Sequence, residues 1–305
     1  MDAYVVIATK GRPKEVGVLL DRLRHQTLQP KKIVVVGAGR EDVTDAQFGE
    51  LLNENRLQIV FAPVAGATRQ RNLGLRLLRA AGAFPSDGAS FVVFFDDDFR
   101  PHSDWLRHCA LAFAAFTDVV GVTGRVLADG INGDPLTEAE AADFLSGQSS
   151  PRAHWASGEV IRSVSSAYGC NMAFIDRVAR TCSFDEALPL YGWQEDRDFT
   201  GQSKAFGRTI YLPDCVGVHL GAKGARTKGV RLGYSQIANM IYLVGKGTVE
   251  PAVGLRFLLR ALAANTVRSC LPEGSVDYRG RLAGNLRALG DLCIRRCRPE
   301  RILDM

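Results

Sequence analysis

The stretch Phe91-Val92-Val93-Phe94-Phe95-Asp96-Asp97-Asp98-Phe99-Arg100-Pro101 decides the fold. Its five apolar residues without a break fit a strand buried on both faces, as in a parallel sheet. Three carboxylates follow at the carboxyl end, which is the edge where an open α/β sheet binds ligands. Like charges in sequence repel, and burying them requires a compensating cation. A hard divalent ion, Mg²⁺ or Mn²⁺, with oxygen ligands and bound phosphates meets that need. A solvated acidic turn is the plain alternative.

The same pattern extends in both directions. Tyr4 to Thr9, Ile33 to Val36 and Leu57 to Phe61 read as further strands. Pro13 sits where a helix begins, and Val16, Leu19, Leu20 and Leu23 give that helix one apolar face. A helix is predicted from about Ala67 to Ala80, and another on Leu106, Cys109, Ala110 and Phe113, before a strand at Val119 to Val122. Strands alternating with helices predict a parallel α/β sheet with right-handed crossovers. From about 129 to 160 the pattern breaks into Gly, Ser, Pro and Asp, which predicts a long surface loop. Beyond 165 come short strands and turns, with His219 expected one turn after the strand Ile210 to Leu212, then helix from about Gly229.

The chain has 305 residues, 46% hydrophobic and 23% charged, which excludes a disordered, collagen-like or coiled-coil chain. It is long enough for one large domain or two small ones. No apolar run approaches the roughly 18 residues of a spanning helix. Met1-Asp2-Ala3-Tyr4 carries no basic leader, so a cytoplasmic location is expected. The seven cysteines form no CxxC pair and are expected to be buried thiols in a reducing compartment. Charge is uneven: from Lys223 to Met305 there are 15 Lys and Arg against 6 Asp and Glu, a net +9, leaving −4 on the first 222 residues of a chain that totals +5. A basic final third points to an anionic surface, membrane lipid or nucleic acid, but it contains no recognisable nucleic-acid module. No nucleic-acid partner is expected.

Two further features carry chemistry. Tyr191-Gly192-Trp193-Gln194-Glu195-Asp196-Arg197-Asp198 sets carboxylates beside an arginine and aromatics. A carboxylate there can act as general base, or the acids can simply favour a helix start. His219 lies in Val216-Gly217-Val218-His219-Leu220-Gly221, where a neutral imidazole is a natural added metal ligand or a structural histidine.

In this order the motifs resemble the family 2 glycosyltransferases, nucleotide-sugar-dependent enzymes with the GT-A fold, over about residues 3 to 245. Thr9, Arg12 and Pro13 look like the family's first-strand motif lining the nucleotide pocket, and Arg71-Asn72-Leu73-Gly74 like its helix start near the diphosphate. Asp96-Asp97-Asp98 with Pro101 is similar to the DxD motif. Gly169-Cys170-Asn171-Met172-Ala173-Phe174 resembles the strand by the acceptor, Glu195-Asp196 the ED pair, and His219 the histidine completing the metal site.

The resemblance implies a Rossmann-like, mostly parallel sheet flanked by helices, with a helical, basic C-terminal extension. The expected division is a catalytic domain over 1–245, its donor half about 1–125 and its acceptor half 126–245, with the extension at 246–305. It implies a metal held by Asp98 and His219, and Asp96 on the ribose or donor sugar. Asp97 falls on the nucleotide side or is itself a ligand. Arg71 and Asn72 lie near the diphosphate, Asp196 is the base and Glu195 orients the acceptor. Asn171, Trp193 and Tyr191 lie toward the acceptor, though for each a structural place fits as well. The implied donor is a nucleotide-diphosphate sugar, a UDP-sugar first. The implied acceptor is a sugar, a lipid-linked molecule or a small molecule, as in polysaccharide or glycolipid synthesis.

One departure stands out. The family's carboxylate after the second strand is missing from Val35-Val36-Gly37-Ala38-Gly39-Arg40, so Asp42, Asp45 or backbone groups would have to hold the nucleobase. Lys223, Arg226, Lys228 and Arg231 follow His219 as a diphosphate clamp, a membrane-facing cluster or a solvated face. Arg256, Arg260 and Arg268 among leucines predict an amphipathic segment, packed on the body or lying on the inner leaflet. Two other readings were weighed. A sugar nucleotidyltransferase needs a Gly-rich loop with a following lysine, and Lys10-Gly11-Arg12-Pro13 offers one glycine. A non-catalytic nucleotide-sugar binder on the same fold would be signalled by loss of Asp98 or Asp196, and both are present.

Overall fold

The computed structural model describes residues 1–43, 55–85, 88–131, 133–222, 229–271 and 276–305. Among them one mixed sheet organises the body. Strands β1 (Asp2–Thr9), β2 (Lys32–Gly37), β3 (Leu57–Phe61) and β4 (Ser90–Asp96) are mutually parallel in the order β3-β2-β1-β4. The sheet continues through β8 (Asn171–Ile175), β6 (Val119–Asp129), β9 (Arg208–His219) and β5 (Phe99–Pro101), with the short β7 (Arg162–Ser163) also on β9. Strand β8 runs antiparallel to both β4 and β6, and pairs Asn171 with Phe95. Val5, Val6, Ile7, Val34, Val35 and Val36 have no exposed surface, so the inner strands are apolar on both faces.

Each face is covered by helices whose apolar stripes the sequence already shows. On one side lie α1 (Pro13–Arg24) and α3 (Trp105–Ala115), with Val16, Leu19, Leu106 and Cys109 against Val5, Ile7 and Phe95. On the other lie α2 (Ala67–Ala80), α5 (Asp176–Thr181) and Phe199 of α6 (Glu195–Ser203), against Val6, Val34 and Phe94. Burying each such side chain contributes about 1.5–3 kcal/mol.

The structure changes several sequence expectations. Strand β6 does not stop at Val122 but runs to Asp129, alongside an equally extended β9. His219 is therefore the last residue of β9, paired with Phe99 of β5, and not a turn beyond a strand. Within 129–160 lies α4 (Glu138–Leu145), opened by a capping box in which Thr137 Oγ1 accepts from the Glu140 amide and the Glu140 carboxylate accepts from the Thr137 amide at 2.8 Å. All seven cysteines are free, but only Cys109, Cys170, Cys182 and Cys215 are buried; Cys270 and Cys293 are exposed and Cys297 half-buried.

The final third is helical: α7 (Gly229–Lys246), α8 (Pro251–Ser269), α9 (Tyr278–Cys293) and a 3-10 turn at Pro299–Asp304. Helices α7 and α9 touch backbone to backbone, because a Cβ on Gly284 would lie 2.1 Å from the Val230 carbonyl oxygen. Asn265 of α8 donates to Gln236 at 2.8 Å and to Asn285 at 2.7 Å, so a buried polar cluster pins the three helices in register. This layer supports the segment before α6. Trp193 packs beside Met240 and Leu243, and Asn239 Nδ2 donates to the Trp193 carbonyl at 2.8 Å. None of the helices among the described residues is long and apolar enough to cross a membrane.

Candidate active site

The carboxyl ends of β1, β2 and β4 converge with the start of β8 and the ends of β6 and β9. Asp96 closes β4, and Asp97 and Asp98 form the turn into β5. Pairing of β5 with β9 brings His219 back to this turn, with Nε2 3.3 Å from Asp98 Oδ1. Oxygens of Asp96 and Asp98 and a nitrogen of His219 all lie within 4.8 Å of one another. Asp98 Oδ1 is buried without a hydrogen-bond donor, and its partner Oδ2 accepts from the Ala222 amide at 2.8 Å. Two carboxylates and an imidazole, one oxygen lacking a donor, fit a hard divalent cation.

His219 is held from behind by a residue the sequence reading missed. Nδ1 lies 3.0 Å from Asp129 Oδ1. Asp129 Oδ2 in turn accepts from Tyr168 Oη at 2.7 Å and faces His154 Nε2 at 3.2 Å. The rings of His154 and Tyr168 stack with centroids 5.4 Å apart. This layer was hidden because Asp129, His154, Tyr168 and His219 come from four separate segments. The available signal was the apolar run Val126-Leu127-Ala128 that carries β6 on to Asp129. Burial disfavours the imidazolium, but the Asp98 and Asp129 carboxylates outweigh it and raise His219 well above its ordinary value.

Arg12 lies over the aspartate turn. Nη1 donates to Asp97 Oδ1 at 2.8 Å and lies 3.2 Å from Asp98 Oδ2, while Nη2 donates to the Ala222 carbonyl. Thr9 Oγ1 donates to Asp97 Oδ2 at 2.7 Å, and Pro13 opens α1 directly after Arg12. The two adjacent acids are driven apart. Burial and the Asp98 charge push Asp97 up to about 7 against Arg12 and Thr9. Burial also works on Asp98, but His219 and Arg12 overcome it and hold that carboxyl below its ordinary range.

Arg71, fully buried on α2, links the two halves of the site. Nη2 donates to Asp96 Oδ1 at 2.7 Å and to the Gly169 carbonyl at 3.0 Å, and Nη1 donates to Glu195 Oε1. Its neighbour Gln70, also unforeseen, donates to the carbonyls of Thr9 and Val36, each at 2.7 Å, and so ties α2 to the ends of β1 and β2. Asn72 is engaged at the Phe184 backbone, donating to its carbonyl at 2.9 Å and accepting from its amide at 2.8 Å.

Glu195 and Asp196 begin α6 after a segment in which Leu190, Gly192 and Gln194 all have positive φ, at 59°, 67° and 70°. Such a backbone holds only when its surroundings over-determine it. Here Ala67 N donates to the Leu190 carbonyl at 2.9 Å and Thr68 Oγ1 to the Leu188 carbonyl at 3.1 Å. Asp196 Oδ2 accepts from Gly169 N at 3.0 Å, and Oδ1 from Arg197 N at 2.7 Å. Burial pushes Glu195 up to about 8 in spite of Arg71. It also raises Asp196, in spite of Arg197 and the amides it accepts from. Glu195 Oε2 is buried with no hydrogen-bond partner.

The acceptor-side candidates divide. Tyr191 is half exposed beside the acids, whereas Trp193 packs on α7. The Asn171 side-chain oxygen accepts from Thr123 Oγ1 at 3.0 Å and from the Gly124 amide at 2.8 Å, joining β8 to β6. Asp42 accepts from the amides of Gly11, Ala38 and Gly39 at 2.5, 2.7 and 2.7 Å. Its carboxylate is thus engaged in shaping the loops after β1 and β2. Arg231 donates to the Met305 carbonyl at 2.8 Å. Asp45, Lys223, Arg226 and Lys228 lie outside the described residues.

The model of glycosyl transferase family 2 matches residues 4–166. Among solved structures, TarS 1–349 of S. aureus in complex with UDP-GlcNAc is 18% identical with a TM-score of 0.58, over 99% of this chain and 83% of that one. The mannosyltransferase PcManGT of Pyrobaculum calidifontis, in complex with GDP-Man and Mn²⁺, is 18% identical with a TM-score of 0.54, over 96% of this chain and 80% of that one. A longer TarS structure gives a TM-score of 0.54 at 18% identity over 88% of this chain, which spans only 44% of that protein. At these identities the likeness shows the fold. No curated protein matches.

Proposed function

The chain belongs to glycosyl transferase family 2, and from that premise we propose that it is an inverting, metal-dependent enzyme moving a hexosyl group from a nucleotide-diphosphate sugar to an acceptor hydroxyl. The observation that carries this reading is the Arg71 guanidinium, which bonds Asp96 on one side and Glu195 on the other. It sets the acids at the end of β4 and the acids that open α6 one guanidinium apart, as transfer between two substrates requires.

Asp96, Asp98 and His219 are the residues that would hold Mn²⁺ or Mg²⁺. When bound, such a cation neutralises charge on the leaving diphosphate. Arg12 and Arg71, held in place and ionised by the acids they bond, line the donor pocket. Asp196 takes the acceptor hydroxyl's proton. The acceptor oxygen forms its bond to the anomeric carbon as the bond from that carbon to the diphosphate oxygen breaks, with the electron pair leaving on the diphosphate. A base opposite the leaving group gives inversion in one step. The Gly169 amide fixes the Asp196 oxygen it donates to, and Arg71 fixes Glu195 beside it.

A UDP-sugar is the first donor to test, since TarS binds UDP-GlcNAc; PcManGT, bound to GDP-Man, puts GDP-sugars second. Polysaccharide or glycolipid synthesis on the cytoplasmic side is the fitting setting. Purified protein with Mn²⁺ or Mg²⁺ is given UDP-, GDP- and dTDP-sugars, and both released nucleotide diphosphate and metal-dependent nucleotide binding are read. Release from one donor that disappears in Asp98→Ala supports the transferase. If no donor is hydrolysed and no nucleotide binds with metal, the catalytic reading is lost.

A further inference from the structure

Helix α8 has two unlike sides. Gly254, Leu258, Leu262 and Asn265 face α7 and α9, where a Cβ on Gly254 would lie 2.4 Å from Val244 Cγ2. The opposite side faces outward. Leu255, Leu259, Ala263 and Val267, four apart, share that side, and Leu271 lies just past its end. Leu255 is 57% exposed, Leu259 58%, Val267 65% and Leu271 56%. Arg256 and Arg260 are exposed on the same side and make no ion pair among the described residues. No Asp or Glu occurs between Pro251 and Leu271.

An apolar stripe bordered by arginines, with no acid among them, is complementary to one kind of surface: apolar just below, anionic on top. We propose that the outward side of α8 lies in the headgroup region of an anionic membrane, with its leucines among the acyl chains and Arg256 and Arg260 on lipid phosphates. A second copy of the chain fits less well. A two-fold contact sets this stripe against itself and brings arginines toward arginines with no carboxylate between them.

The face is joined to the chemistry. Phe257, next to Arg256 on α8, lies under the Arg197 guanidinium, 4.6 Å from ring centroid to Cζ. The Arg197 amide donates to Asp196 Oδ1. A membrane seated on α8 therefore lies one helix away from the base. On the transferase reading above, this selects a lipid-linked hydroxyl as the acceptor class.

The test uses the full chain and vesicles of phosphatidylcholine, alone or mixed with phosphatidylglycerol. Sedimentation with the mixed vesicles, weakened by salt and absent with phosphatidylcholine alone, is expected. Arg256→Gln should weaken it about fivefold, and adding Arg260→Gln by about as much again. The double variant Leu255→Glu, Leu259→Glu should abolish binding, with its circular dichroism spectrum unchanged. Failure to bind either vesicle, or binding indifferent to these variants, overturns the proposal. So does a dimer in vesicle-free sedimentation velocity that Leu259→Glu dissociates, since the face would then be covered by a second copy. Nucleotide release in vesicle-free buffer should be the same in every variant. Release retained without vesicle binding rejects the membrane and leaves the transferase standing, whereas no release even from the unmodified chain with every donor counts against the transferase.

Discussion

His219 is bonded at Nδ1, 3.0 Å from Asp129 Oδ1, while its Nε2 faces Asp98 Oδ1 at 3.3 Å without a hydrogen bond. Asp129 thereby assigns a proton to Nδ1 and turns Nε2 toward the acids of β4. Second-layer carboxylates of this kind orient a ligating histidine and raise its basicity. Asp129→Asn should weaken Mn²⁺ binding about 10–100-fold. Metal titration followed by calorimetry measures this directly, and nucleotide release at saturating Mn²⁺ should recover most of the loss.

Arg71 is itself buried and bonds the buried Glu195 and the part-exposed Asp96. Removing it leaves both without their cation, and breaking a buried pair in this way costs about 3–5 kcal/mol. Arg71→Leu should lower the urea midpoint accordingly. Arg71→Lys keeps the charge but not the fork that reaches Asp96, Glu195 and the Gly169 carbonyl together, so its midpoint should fall in between.

On the proposed reading Asp196 works as base in its ionised form, and burial raises its pKa above the ordinary carboxylate value. The transfer rate should therefore fall as pH drops through a point higher than a free aspartate's, and level off above it. Asp196→Asn should lose about 10²–10⁴ in rate and flatten the profile. Nucleotide binding, followed by fluorescence across the same pH range, should be unchanged by the substitution.

Gly169 sits close under the acids: a Cβ there would lie 3.0 Å from Glu195 Oε1, which must give slightly, and 3.4 Å from Asp196 Oδ2, an ordinary contact. Gly169→Ala should shift the Glu195 carboxylate slightly against Arg71 and leave Asp196 in place. A displacement near 1 Å can cost about 10² in rate, so this smaller shift should cost only a few-fold. Steady-state kinetics should show this as a fall in kcat, with KM for the donor little changed and the melting temperature close to that of the parent.

The aspartate side of this site is legible in sequence because it is local. Asp96, Asp97 and Asp98 follow an unbroken apolar run, and the strand itself carries them to the edge. Pro13 and the spacing of Val16, Leu19 and Leu23 likewise mark α1. What the sequence concealed is long-range. Asp129 reaches His219 only because β6 and β9 extend together, and Gly124 and Arg125 interrupt the apolar run that continues β6. The short α4 was missed although Thr137 and Glu140 have capping-box spacing, because eight residues give too little periodicity to see. Glu195-Asp196 could be picked out by composition, but not the left-handed residues that aim them. Arg71 was visible as a cation without its partners, which lie 25 and 124 residues away.

The antiparallel pairing of β8 with β4, Asn171 opposite Phe95, has a consequence for how such a chain can change. It makes the span from the aspartates to Gly169, and through its amide to Asp196, a matter of strand register. Register is all or nothing, because a slip of one residue would turn every side chain of β8 to the other face. The reach between the aspartates after β4 and the acids that open α6 is therefore quantised by the sheet. Outlying segments such as 146–151 can gain, lose or exchange residues while that reach stays the same.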